Sequence, residues 1–162
     1  MAEIIIALGS NLGDRQHHMS NGKNFLKSLS DNKFLSSHLY ETEPVGPAKF
    51  DFLNAVARMD TSLSPQELLE KLKEFEQVEG RDKFSPKWTA RLLDLDIIAY
   101  DKIQIQSGKL KIPHPEYHKR LFVLEPLFEI YPNWIDPKLK MGIKEMIQAA
   151  PKLEVSKTSI IW

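Results

Sequence analysis

The sequence predicts an α+β domain in which a mostly antiparallel sheet carries helices packed on it. Three observations predict it. Residues 50–61 alternate apolar and polar side chains, as a strand with one core face does. SPQE at 64–67 opens a helix with a capping box and a proline in its first turn. Strand-like and helix-like segments follow one another in the order β-α-β-β-α-β, with additions beyond.

Each element has a local reason. Ile4 to Leu8 is a first strand rich in β-branched residues. GSNLGD then turns the chain, with Ser10 or Asn11 as the expected cap of a helix running to about Leu29. Ser36 to Glu43 reads as a second strand and EPVGPAK as a loop set by Pro44, Gly46 and Pro47. On the third strand, Phe50 to Thr61, Leu53, Ala55, Ala57 and Met59 share the better core face. Phe52, Asn54, Val56 and Arg58 share the other. The capped helix buries Leu68, Leu72 and Phe75 and ends near Gly80. Arg81 to Ala90 is irregular and basic. Leu92 to Tyr100 is a fourth strand, followed by a hairpin arm around Lys102 to Ile112 and a rigid PHP at 113–115. A short helix around Arg120 to Ile130 and a weak one around Ile143 to Ala149 complete the chain. This is a ferredoxin-like βαββαβ core, with helices expected on one face, plus a C-terminal extension.

Composition narrows the function. The 162 residues suit one domain spanning 1–162, large enough for its own core. With no cysteine, disulfides and thiolate metal sites are excluded. Acids and bases balance at 22 each, so no global field draws nucleic acid or a membrane. The only N-terminal apolar run, Ile4 to Leu8, is too short for a signal peptide or a membrane span. A soluble cytoplasmic protein is expected, monomeric because no long apolar helix face is left unused.

Two acids sit inside the apolar strand RLLDLDIIAY at 91–100. Asp94 and Asp96 leave one face together, roughly 7 Å apart, while Leu93, Leu95 and Ile97 enter the core. Carboxylates this close raise each other's pKa unless a cation intervenes. Magnesium, held by one or two carboxylates plus substrate phosphates, suits so sparse a site. A solvated strand face with Arg91 as ion-pair partner is the plainer alternative. Basic segments flank the acids: Arg81, Lys83, Lys87 and Arg91 before them, and Lys109, Lys111, Lys119 and Arg120, with His114 and His118, after them. Acids for a metal among bases for phosphates is the makeup of a nucleoside triphosphate site. It is not a P-loop, because no G-x-x-x-x-G-K-[ST] occurs. Glu76 lies at the edge of its helix's apolar stripe near the C-terminal end, where the dipole disfavours it. A partner is expected there, Arg81 or Arg91, or a place beside the metal or nucleotide. Phe52 and Asn54 project together, a plate and an amide suited to a flat heterocycle, with Phe122 as a second plate.

These motifs together resemble the hydroxymethyl-dihydropterin pyrophosphokinases of folate synthesis. The likeness runs through ALGSNLGD (7–14), YETEPVG (40–46), DFLNAV (51–56), LSPQELL (63–69), FEQVEGR (75–81), RLLDLDII (91–98), IPHPEYHKRLFVLEPLFEIYP (112–132) and Trp162. The resemblance implies transfer of the β,γ-diphosphate of ATP to the pterin hydroxymethyl group, releasing AMP. It casts Asp94 and Asp96 as ligands of two Mg2+ ions. Thr42, Val45, Phe52, Asn54 and Phe122 fall on the family's pterin pocket. Glu76, Arg91, Ile97, Lys109, Lys111, His114 and Arg120 fall on ATP contacts. Arg81, Lys83 and Trp88 fall on a loop that closes over the phosphates, and Arg81 and Arg91 join the acids as catalytic candidates. The chain departs from common family patterns at Thr89, Ala90, Lys83 and Pro115. Lys83 loses an arginine's bidentate fork. Some relatives carry a fused dihydropteroate synthase. The same element order also fits a non-catalytic RNA-binding module, and the same acids fit a metal-dependent phosphohydrolase. The missing first-strand aromatics and zero net charge weigh against the RNA module.

Overall fold

The computed structural model describes residues 1–43, 51–80 and 92–162. Strand β1 (Ala2–Ser10) lies between two others and is buried on both faces along most of its length. It is longer than its apolar run because Gly9 and Ser10 still pair, opposite Asn54 and Leu53. That displaces the expected cap of helix α1 (Arg15–Leu29). Asp14 caps it instead, its carboxylate accepting from the His17 N–H, after a turn made at Gly13 with φ +67°.

The expected second strand is two, β2 (Phe34–Ser36) and β3 (Tyr40–Thr42), both antiparallel to β4 (Phe52–Thr61). Between the pairs Ser36↔Ala57 and Tyr40↔Asn54 the β2–β3 side has one residue more than β4, which is a bulge. The buried Ser37 explains it: its hydroxyl accepts from the Val56 N–H at 3.0 Å, standing in for a ladder carbonyl.

Helix α2 (Pro65–Val78) has the expected capping box between Ser64 and Glu67. Strand β5 (Asp94–Tyr100) is followed by the hairpin β6 (Ile105–Ser107) and β7 (Leu110–Ile112), a separate two-stranded sheet, and a cis Ile112–Pro113 bond. A 3-10 turn (Tyr117–Lys119) leads to α3 (Leu121–Ile130), then α4 (Ile143–Ala149) and an unanticipated strand, β8 (Val155–Lys157). The main sheet runs β5-β1-β4-β3-β8, with β2 also on β4, all antiparallel. Among the described residues no helix is long and apolar enough to cross a membrane.

The expectation of helices on one face holds only for α1 and α2. Their Met19, Leu26, Leu68 and Leu72 pack on Ile6, Leu8, Leu53, Ala55 and Leu95. The other face has its own core, where Val123, Leu124 and Leu127 of α3 and Ile143 and Met146 of α4 meet Ile5, Val56 and Ile98. Ile5, Val56 and Ile98 would otherwise face water, so the C-terminal helices complete the sheet. Further along this second face the apolar residues give way to Gly9, Asn54, Asp94 and Asp96.

Candidate active site

The acid pair stands on β5 as the alternation requires. Leu93, Leu95 and Ile97 are buried in the first core, and Asp94 and Asp96 are half-buried on the other side. Their neighbours on β1 are Gly9 and Ala7, too small to cover them. Strand β5 is an edge of the main sheet, and α2 reaches it through Glu76. This carboxylate is only 1% exposed and accepts the Leu95 N–H at 2.7 Å, between the two aspartates. Arg81 and Arg91, its expected partners, lie outside the described residues. Lys73, one turn earlier, places its ammonium 3.3 Å from both Glu76 oxygens, 3.4 Å from the Leu95 carbonyl and 3.8 Å from Asp96 Oδ1.

His114 reaches the same region. Its backbone N–H bonds the Ile98 carbonyl at 2.9 Å, and its Nδ1 accepts from the Glu116 N–H at 3.0 Å. The neutral ring therefore carries its proton on Nε2. Burial holds His114 below the ordinary histidine range; the Asp96 charge opposes this, and Arg120 adds to it. Arg120 precedes α3, its guanidinium 5.8 Å from the Phe122 ring centre. Lys109 and Lys111 are exposed on the hairpin. A cleft of about 210 Å³ brings Lys111 and His114 together with His118 and Lys138. Ile97 is not brought onto the acid face: its side chain belongs to the first core.

Beside the acids is a different chemistry. The register sets Asp94, Gly9, Asn54 and Tyr40 in one row across four strands, and Thr42 beside Phe52 in the next. A Cβ on Gly9 would lie 3.0 Å from Asn54 Nδ2 and 3.8 Å from Phe52 Cδ1, so amide and ring both lean over the bare glycine. Asn54 is 6% exposed and Thr42 1%, yet Asn54 Oδ1 and Thr42 Oγ1 have no hydrogen-bond partner among the described residues. Buried polar atoms are nearly always paired, so two on one sheet face without a partner among the described residues are candidates for contact with a ligand. Phe122 is half-buried in the first turn of α3, against the second core. Val45, Lys83 and Trp88 lie outside the described residues.

Two contributors escaped the sequence reading. Lys73 looks like any lysine on the polar side of an amphipathic helix, and only the helix–strand contact singles it out. Gly9 falls in the stretch whose composition predicts a turn; its place under Asn54 depends on β1 running two residues further. The expected aspartate pair, Glu76, His114, Phe52 and Asn54 are brought to one end of the sheet.

Comparison with known proteins agrees with this arrangement. Residues 5–132 match the model of the family described as 7,8-dihydro-6-hydroxymethylpterin-pyrophosphokinase (HPPK). A 2-amino-4-hydroxy-6-hydroxymethyldihydropteridine pyrophosphokinase of Haemophilus influenzae is 37% identical over 150 residues, 91% of this chain and 92% of that protein. One of Aquifex aeolicus is 40% identical over 147 residues, 90% of each. A folate synthesis bifunctional protein of Arabidopsis thaliana is 43% identical over 129 residues, 79% of this chain but 27% of that one. The crystal structure of an HPPK-DHPS in complex with substrates superimposes with a TM-score of 0.72 at 13% identity, over 91% of this chain and 43% of that chain, a likeness of fold. The match through both the acid strand and the amide-bearing strand, at this identity and coverage, places the chain in the 7,8-dihydro-6-hydroxymethylpterin-pyrophosphokinase family.

Proposed function

We propose that the two chemistries on this sheet face are the two substrate sites of one reaction. The enzyme is a pyrophosphokinase: it transfers diphosphate from ATP to 6-hydroxymethyl-7,8-dihydropterin in folate biosynthesis. In our reading the nucleotide lies over β5 and the pterin over Gly9, Thr42 and Asn54. The observation that carries it is a pair of buried polar atoms without a partner among the described residues, Asn54 Oδ1 on β4 and Thr42 Oγ1 on β3, on the sheet face that also carries the acid pair.

The donor set fits a hard divalent cation. Asp94 and Asp96 offer only oxygen, and no group of three or more potential ligands occurs among the described residues, which leaves room for phosphate oxygens. Asp94 and Asp96 would hold magnesium, two ions in our reading, which supplies charge neutralisation along the triphosphate. The protein does the positioning. His114 offers its Nε2–H to a phosphate oxygen, and Arg120 adds a fixed positive charge nearby. Asn54 accepts from the pterin's amino edge while Phe52 and Phe122 hold the ring. Arg81, Lys83, Trp88 and Arg91 join from the basic segment, and Val45, Glu76, Lys109 and Lys111 complete the two sites; Ile97, whose side chain lies in the first core, takes no side-chain part. Holding alcohol and phosphorus in line lowers such a barrier by about 7–11 kcal/mol in favourable cases. The same reading makes 1–162 a single catalytic domain, monomeric and cytoplasmic.

The test is AMP release from ATP and magnesium with and without 6-hydroxymethyl-7,8-dihydropterin. AMP is expected only with the pterin. Pterin-independent hydrolysis would instead indicate a phosphohydrolase, and single-stranded RNA binding without turnover an RNA module. Asp96→Ala should lower kcat at least about a hundredfold with an unchanged circular dichroism spectrum. Near-normal AMP production by that variant would refute the assignment.

A further inference from the structure

Lys73 has no part in the reaction as proposed above, yet its ammonium has a specific place. It is surrounded by oxygen: both carboxylate oxygens of Glu76 at 3.3 Å, the Leu95 carbonyl at 3.4 Å and Asp96 Oδ1 at 3.8 Å. This is the kind of hard-oxygen environment a divalent ion prefers. One of its members is a proposed metal ligand.

Two features make the lysine a movable occupant rather than a buried strut. Its side chain is 44% exposed and that of Asp96 42% exposed, whereas Glu76 is 1% exposed and fixed by the Leu95 N–H. An ammonium on a flexible four-carbon stem exchanges partners easily. The 3.8 Å to Asp96 is an ion-pair distance beyond hydrogen-bonding range, and the bonds that aim the ammonium come from Glu76 and Leu95. The anchor is thus on one side and the releasable charge on the other.

From this cage of oxygens we infer that Lys73 is the resident counter-cation beside Asp96 in the nucleotide-free enzyme, competing there with the divalent ion. The inference rests on the reading of Asp94 and Asp96 as the metal ligands. Entry of metal and triphosphate relieves Asp96 of the ammonium, whose stem carries it toward the incoming phosphate oxygens. Lys73 is then a positioning residue that ties tight cation binding to the arrival of nucleotide.

The test is direct titration of the nucleotide-free protein with Mn2+, free ion being read by electron paramagnetic resonance. Lys73→Met, which removes the charge and keeps the stem, should bind Mn2+ about tenfold more tightly than the wild type. Lys73→Arg, which keeps the charge, should stay near wild type. In a Lys73→Met, Asp96→Asn double variant the gain should vanish. Unchanged or weaker Mn2+ affinity in Lys73→Met overturns the proposal, as does equal tightening in Lys73→Arg or no measurable binding in any variant. If Asp94→Asn and Asp96→Asn both leave wild-type Mn2+ affinity unaltered, it is the metal-ligand reading that fails instead. Circular dichroism of each variant separates these outcomes from misfolding.

Discussion

Asn54 and Thr42 each carry a buried oxygen with no hydrogen-bond partner among the described residues. A buried oxygen without a partner costs stability, and a ligand that donates to it recovers that cost. Thr42→Val keeps the shape and removes the hydroxyl. The free protein should then be as stable as wild type or up to about 1 kcal/mol more stable, by urea unfolding. Pterin affinity should fall several-fold, by isothermal titration. A variant that instead lost stability and kept pterin affinity would show the hydroxyl to be structural. Gly9→Ala tests the neighbouring contact. Its methyl would press on the Asn54 amide from 3.0 Å, so KM for the pterin should rise while nucleotide affinity holds. The sequence showed that Phe52 and Asn54 share a face, because a strand's period is two. It gave no sign that glycine lies beneath them, since that depends on which residue of β1 pairs with which of β4.

The elements are joined by a few polar contacts placed where helices meet strands. Helix α2 has no basic residue in its last turn and carries the buried Glu76 there. An acid near a helix C-terminus is unfavourable in isolation. It is explained by the edge of β5, where the Leu95 N–H needs an acceptor and finds this carboxylate. Glu76→Ala should therefore cost about 1–3 kcal/mol, the penalty of an orphaned buried donor. Glu76→Gln retains an acceptor and should cost less; equal losses in denaturant titrations would contradict the account. At the other end of α2, the Ser64–Glu67 capping box was plain in the sequence because all its parts lie within four residues. The bulge that splits β2 from β3 was not, because the Ser37 hydroxyl that makes it bonds nineteen residues away, at Val56.

Across the whole molecule, Glu129 ties three elements together. From α3 it accepts the Tyr40 hydroxyl at 2.7 Å and the His38 ring at 2.9 Å, and lies 3.9 Å from Lys157 on β8. Burial pushes its carboxyl up, but hydrogen bonds from the His38 ring, the Tyr40 hydroxyl and the His38 N–H outweigh that and hold it below the usual range. The sign follows: the folded pKa is depressed, so the stabilisation is complete above the unfolded carboxylate value and fades as pH falls through the folded one. Glu129→Gln should thus be less stable than wild type at neutral pH, with the gap narrowing in acid, by thermal unfolding across pH. A gap independent of pH would show that packing, not ionisation, is what the variant loses.

The sequence by itself determined the α+β alternation of the core, the faces of β4 and β5, the cap of α2, and the candidate pairs Asp94 with Asp96 and Phe52 with Asn54. Those features depend on neighbours two to four residues apart, where backbone period and capping chemistry act. The tertiary structure decided the second helical layer, the strand β8, the bare glycine under Asn54 and the ammonium of Lys73 at the acid pair. Each of these depends on register and packing between segments distant in the chain, which local periodicity does not encode.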